Sequence, residues 1–253
     1  MTKEKLGFVL ITLITIAAVT TILFLDPIAQ DTRYHNFHDT RMLFSIPNFW
    51  NVISNLPFVF AGVWGLGWIA TAKKESYLSE LKFAYFIFFA GTALVGLGSS
   101  YYHLQPNNFT LVWDRLPMTL AFMALFSIIV AEFISISVGR RLLIPMLVVG
   151  ITSVFYWYYS ELSGNGDLRL YILVQFLPML VIPIILILFN SRFTLKRSYW
   201  LLIFTYLTAK VLEHFDAQVM SVLPLLSGHT LKHIVAAFGV SLLVYNYRKR
   251  VRI

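Results

Sequence analysis

His229 and His233 stand four residues apart in an apolar run. On a helix that spacing sends both imidazoles off one face, one turn apart. Two ring nitrogens so placed can reach one ion at ~2.0–2.1 Å, and three protein ligands with an open fourth position make a catalytic zinc site. His103, near the end of another apolar run, is the natural third ligand. Ser99 precedes it by four residues and shares its face, where it could bond a reacting carbonyl or a bound water. Asp114 could orient that water and take its proton. Glu213 and Asp216 stand where they could shape the pocket, with His214 beside them as a supporting residue. The chain has no cysteine, which excludes disulfides and thiolate ligands and leaves His, Asp or Glu to hold a metal. Zn2+ is the expected ion, although three imidazoles also accept copper, nickel or cobalt.

Each residue has a plainer reading when taken alone. A HxxxH pair can arise by chance or serve interhelical hydrogen bonds. Asp114 beside Arg115 reads as an ion pair at a helix entrance. Ser99 and Ser100 read as small residues that let helices approach closely. The metal reading rests on their convergence, which depends on the elements that carry them.

Those elements are membrane spans. The chain has 253 residues, 58% hydrophobic and only 13% charged, against about 25% charge in soluble domains. Eight apolar stretches approach the ~20 residues that a hydrocarbon core requires. They lie at 7–25, 48–71, 83–104, 111–136, 141–159, 168–189, 199–219 and 228–246, and the expected fold is an all-α, eight-span bundle forming one integral membrane domain. The first stretch is too long for a signal-peptide core and reads as an uncleaved span. Pro57, Pro117, Pro145, Pro178 and Pro183 are expected to kink their spans locally. A cytoplasmic N-terminus puts fourteen of the twenty Lys and Arg residues on the inner side and three on the outer, so both termini are expected inside. The formal charge of +8 is then a topology signal and implies no nucleic-acid partner. In this arrangement Ser99, His103, Asp114, Glu213, His214, Asp216, His229 and His233 all come to the outer face.

The segment from Asp26 to Pro47 is the one connection with room for structure. Its Asp31, His35, His38 and Asp39 form either an ordered cap over the pocket, the favoured reading, or a second metal site. Elsewhere Glu132 is expected at the interface at the inner end of its span. Lys210 and Glu213 are spaced to pair. Lys232 points away from both neighbouring histidines and is expected to snorkel.

Three segments carry a family resemblance: Gly98-Ser-Ser-Tyr-Tyr-His103, Leu111-Val-Trp-Asp-Arg-Leu-Pro-Met118 and Gly228-His-Thr-Leu-Lys-His233. With Phe49-Trp-Asn51 and Ser54-Asn55, they resemble the alkaline ceramidase family, part of a superfamily that includes the adiponectin/progestin-type receptors. The resemblance covers about 34–246 and implies a seven-helix core, with the first span added in front. It implies that His103, His229 and His233 hold zinc. It further implies hydrolysis of the amide of a ceramide-like membrane lipid, with Asp114 as general base and Ser99 stabilising the oxyanion. The segment Tyr34-His-Asn-Phe-His-Asp-Thr-Arg41, and Asn48 before Phe49, depart from the acidic calcium-binding stretch of eukaryotic members. No calcium site of that type is expected, and the variant is similar to the bacterial branch, which implies a bacterial inner membrane. The competing readings are a receptor or sensor with a structural zinc, and a transporter relaying protons through Lys210, Glu213 and Asp216. The transporter reading suffers from polar groups that stop at one face, and from the lack of an inverted repeat.

Overall fold

The computed structural model describes all 253 residues, Met1–Ile253, and contains helices but no strands. Ten α-helices follow in order: α1 Lys3–Phe24, α2 Phe49–Ile53, α3 Leu56–Thr71, α4 Lys82–Leu104, α5 Asn108–Phe133, α6 Ile136–Leu162, α7 Arg169–Leu188, α8 Arg197–His214, α9 Asp216–Val222 and α10 Gly228–Lys249. Each starts or stops where the chain supplies a reason. Thr2 caps α1, which ends at Leu25, just before Asp26-Pro27. Asn107 and Thr110 form a capping box at the head of α5.

α5 is the central helix, lined on most sides by buried residues. It packs on α4 and α6, α4 packs on α3, and α10 packs on both α3 and α8. α7 closes against α5 and α6, while α1 lies outside, packed on α7 alone among the long helices. The seam between α7 and α8 is sparsely packed. The main core runs through Trp68, Phe89, Ile128 and Leu243, and a smaller one holds Phe37, Tyr102, Leu111, Trp157 and Tyr171. Large apolar side chains such as Phe60, Phe204 and Phe238 cover the outside, a surface suited to a lipid solvent.

Six segments are long and apolar enough to cross a membrane, counting α2 and α3 together, so the protein is an integral membrane protein. Two of the eight expected spans fall short of that measure. The helices concerned, α8 and α10, carry Lys210 and Glu213, and His229, Lys232 and His233, which lower their mean hydropathy; these residues all line an internal cavity.

Three expectations need correction, two on helix continuity and one on Glu132. The 48–71 stretch breaks at Ser54-Asn55 into α2 and α3, which places Pro57 in the first turn of α3 rather than at a kink. The 199–219 stretch breaks at Phe215, between α8 and α9. Glu132 is not at an interface: it is fully buried and binds Arg250, one of the fourteen basic residues that the charge count places on the inner side.

Candidate metal centre

The site is assembled by helix ends. A Cβ at Gly98 would collide with the carbonyl of Trp113, so the glycine lets α4 and α5 cross closely where Ser99 and Asp114 sit. Gly228 likewise backs onto the Leu212 carbonyl, which holds the start of α10 against α8. Ser227 caps α10 by accepting from Thr230 N–H at 3.1 Å. Asp216 Oδ1 accepts from the His229 N–H at 2.7 Å, fixing the first turn that carries the ligand.

His103, His229 and His233 are all buried, and one ring nitrogen from each lies within 4.8 Å of the others. Their ring centroids form a near-regular triangle with sides of 4.9, 5.0 and 5.1 Å. The Nε2 atoms of His103 and His229 are 3.3 Å apart. Two nitrogens bonded tetrahedrally to one ion at ~2.0–2.1 Å would stand ~3.3 Å apart, so the donor set fits a metal of that size. The set is the one cluster of three or more potential ligands in the chain.

The segment from Asn48 to Asn55 clamps this triangle. Asn48, held in the left-handed region at φ 49°, donates to the His103 carbonyl at 2.8 Å. Asn51 accepts from Thr230 on α10 at 2.9 Å and donates to the Asp39 carbonyl at 3.0 Å. Ser54 Oγ gives its proton to the Asn51 carbonyl at 3.2 Å and lies 2.8 Å from His233 Nδ1. Ser54 Oγ therefore accepts from Nδ1–H, which leaves the Nε2 lone pair of His233 free for an ion. Ser100, expected to be a small packing residue, donates to the Val52 and Gly96 carbonyls and ties α4 to α2.

The triad opens onto a cavity of about 220 Å3 whose walls include Ser99, Asp114, Arg115, Lys210, Glu213 and Lys232. Ser99 and Asp114 face this cavity together, from the crossing of α4 and α5. Glu213 binds Lys210 at 2.8 Å and also pairs with Lys232, so Lys232 faces the cavity rather than snorkelling. The plainer reading of Asp114 as an ion pair with Arg115 finds no support, because no such pair forms and successive residues on a helix do not face each other. A second, apolar chamber of about 150 Å3 adjoins the first and shares Phe58, Val95, Met118, Tyr206 and Ala236 with it. It extends along α5 to Ile129, ~16 Å beyond Met118 at the helical rise.

The remaining expected residues lie around the triad rather than in it. Asp216 holds the His229 backbone and, through Oδ2, the His38 N–H and Nδ1. His214 borders a surface depression with His38 and Asp216. His35 bonds the Tyr102 hydroxyl and Asn108, each at 2.9 Å, and burial pushes its pKa below the usual imidazole value. Asp39 is fully buried and pairs with Arg41. The segment thus makes a hydrogen-bonded cover beside Phe37, whose ring packs on both His103 and His229. Tyr34, Gln175 and Tyr206 also line the cavity, and nothing in their local sequence signals it.

No curated protein matches the chain. The family model described as Ceramidase matches residues 36–248, from the segment before α2 to the last turn of α10 and including every residue of the triad and its clamp. The chain belongs to the ceramidase family, whose members hydrolyse the amide bond of ceramide-like lipids.

Proposed function

We propose that the protein is a zinc-dependent intramembrane amidase that cleaves ceramide or a related N-acyl lipid into an amine lipid and a fatty acid. The observation that carries this reading is the three-histidine triangle opening on a cavity that holds Ser99 and Asp114 and continues into an apolar chamber. In the proposed topology α8 and α10 also span, giving eight spans with both termini in the cytoplasm and the triad near the outer face of a bacterial inner membrane.

Zinc held by His103, His229 and His233 would supply a Lewis acid that polarises the carbonyl and makes water nucleophilic near neutral pH. The chain's own residues handle position and protons. The apolar chamber takes the acyl chain and sets the amide beside Asp114. Asp114 takes one proton from the attacking water as its oxygen bonds the carbonyl carbon. The Ser99 hydroxyl, on the same wall of the cavity, donates to the oxygen on which charge develops. The proton on Asp114 then passes to nitrogen as the C–N bond breaks, which leaves a carboxylic acid and an amine. The sparse α7–α8 seam is a side entrance from the bilayer.

The test is metal content and lipid hydrolysis of purified wild type, His233→Ala and Asp114→Asn. About one zinc per chain is expected in wild type and Asp114→Asn, and loss in His233→Ala. Turnover should fall at least ~100-fold in both variants. Wild type that takes up no zinc when offered it would overturn the reading. Bound metal without turnover on any N-acyl lipid would point to a receptor or sensor of the same fold.

A further inference from the structure

Positive charge on the cavity wall exceeds what the protein neutralises. Glu213 is shared between Lys210 and Lys232, and Arg115 has no carboxylate within ion-pair distance. Arg115 is only 6% exposed. Its Nη2 donates to Gln30 Oε1 at 2.7 Å, while its Nη1 has no partner. The guanidinium lies 4.1 Å over the Trp157 ring and 4.6 Å over the Tyr171 ring. Trp157 is itself fully buried, and its Nε1 also lacks an acceptor. One aromatic cage therefore holds a buried cation and two donors with nothing to donate to. Buried charges are ordinarily paired, and a charge inside a membrane bundle is retained for a partner or a task. No side chain supplies that partner, but Arg115 borders the substrate cavity.

The cage also has a definite place along the proposed substrate. On α5 the order from the helix head is Asp114, Arg115, then Met118 at the junction with the apolar chamber. On α10 the order is His229, Lys232 and His233, then Ala236 at the same junction. An amide at the triad with its acyl chain beyond Met118 leaves the substituent on nitrogen at the level of Arg115. We propose that this substituent is anionic: the substrate is an N-acyl amino acid-type lipid whose carboxylate is held by Arg115. Asp114 and Glu213 set against Arg115, Lys210 and Lys232 leave one unit of positive charge on the wall, which a carboxylate matches and a phosphate dianion exceeds.

The inference rests on the amide-hydrolase reading, and its test separates the two. Full-length, zinc-loaded protein is given three amides with the same acyl chain: an N-acylglycine, the neutral N-acylethanolamine and the phosphate ester of the latter. Wild type should favour the carboxylate over the neutral amide by roughly tenfold or more in kcat/KM, mostly through KM, the scale of a charge-assisted buried hydrogen bond. Arg115→Gln should bring that ratio near one, and Arg115→Lys should retain part of it. Binding to Asp114→Asn protein, followed by tryptophan fluorescence, gives a readout that needs no turnover. If wild type hydrolyses neither these three nor ceramide, the hydrolase reading fails; turnover of ceramide alone, with no binding of the three, would overturn the anion site and leave the hydrolase reading standing. Carboxylate-selective binding that disappears when Arg115→Gln is added would still uphold the anion site. Equal handling of carboxylate and neutral amides by wild type, in turnover or binding, would overturn the proposal, as would an unchanged ratio in Arg115→Gln or a preference for the phosphate. Should Arg115→Gln fail to fold, the wild-type ratio and Arg115→Lys decide.

Discussion

The bundle holds two buried polar clusters, and the same four helices build both, one at each end. Tyr85 on α4, Glu132 on α5, Tyr199 on α8 and Tyr247 on α10 gather around Arg250. At the other end α4 gives His103, α5 Asp114, α8 Glu213, and α10 His229 and His233. The Glu132 end is closed. Arg250 pairs with Glu132 through bonds of 2.7 and 3.0 Å, Tyr85 and Tyr199 donate to the same carboxylate, and the Arg250 Nε donates to the Ser76 carbonyl. The His103 end is incomplete. All four buried side-chain atoms without partners, Asn55 Oδ1, His103 Nδ1, Arg115 Nη1 and Trp157 Nε1, lie around it. A satisfied buried network fixes one packing, while an unsatisfied one keeps capacity for a ligand. The first is the bundle's fastener and the second its working end.

The sharpest way to break that contrast is to strand one charge at the closed end. Glu132→Ala or Arg250→Ala should destabilise the protein by about 3–5 kcal/mol, since the lone partner stays buried and uncompensated. Removing both, as Glu132→Met with Arg250→Met, should cost less than either single change. Unfolding in a graded detergent series measures this, with zinc per folded chain unchanged. Single variants within ~0.5 kcal/mol of wild type would mean the cluster does not fasten the bundle.

Ser54→Ala perturbs the working end without touching a ligand. It removes the acceptor that holds His233 Nδ1–H at 2.8 Å. Zinc affinity should fall about 10–100-fold, read by competition with a chelator, while the unfolding midpoint moves little. An unchanged affinity would show that burial alone orients the imidazole.

The two ends were not equally legible in the sequence. His103, His229 and His233 stand out because ionisable residues are rare in apolar runs, and i, i+4 spacing states their common face. Six of the eight expected spans were legible as such, since hydropathy averages over a whole helix. That averaging hides the breaks at Ser54-Asn55 and Phe215, which depend on local backbone. Glu132 and Arg250 are 118 positions apart, and the arginine sits in a basic tail that resembles any cytoplasmic end. Arg115 drew notice only as a possible partner of its neighbour Asp114, because the partners that define it, Gln30 and Trp157, lie far off in sequence. Lys232 does point away from the histidines, but the cavity is wide enough to include that face.

The smallest expected effect lies where α1 joins the family core. Asp167, in the turn before α7, pairs with Arg169 at 2.8 Å and accepts from the Tyr156 hydroxyl at 2.9 Å. Arg169 also donates to the Leu25 carbonyl, tying the end of α1 to the head of α7. The Arg169 hydrogen bonds hold the Asp167 carboxyl down to about 2, against an ordinary 3.8. A lowered folded-state pKa contributes stability that is complete above the unfolded value and is lost as pH falls through the folded one. Wild type should therefore lose this contribution between about pH 5 and pH 2, a window spanning the two pKa values. Asp167→Asn should lose it at neutral pH and show a correspondingly flatter acid limb. The size should be about 1 kcal/mol, the scale of a pair near the surface. Because the tie holds α1 and not the triad, zinc content and turnover should not move. A drop in either would mean that α1 supports the working end rather than standing beside it.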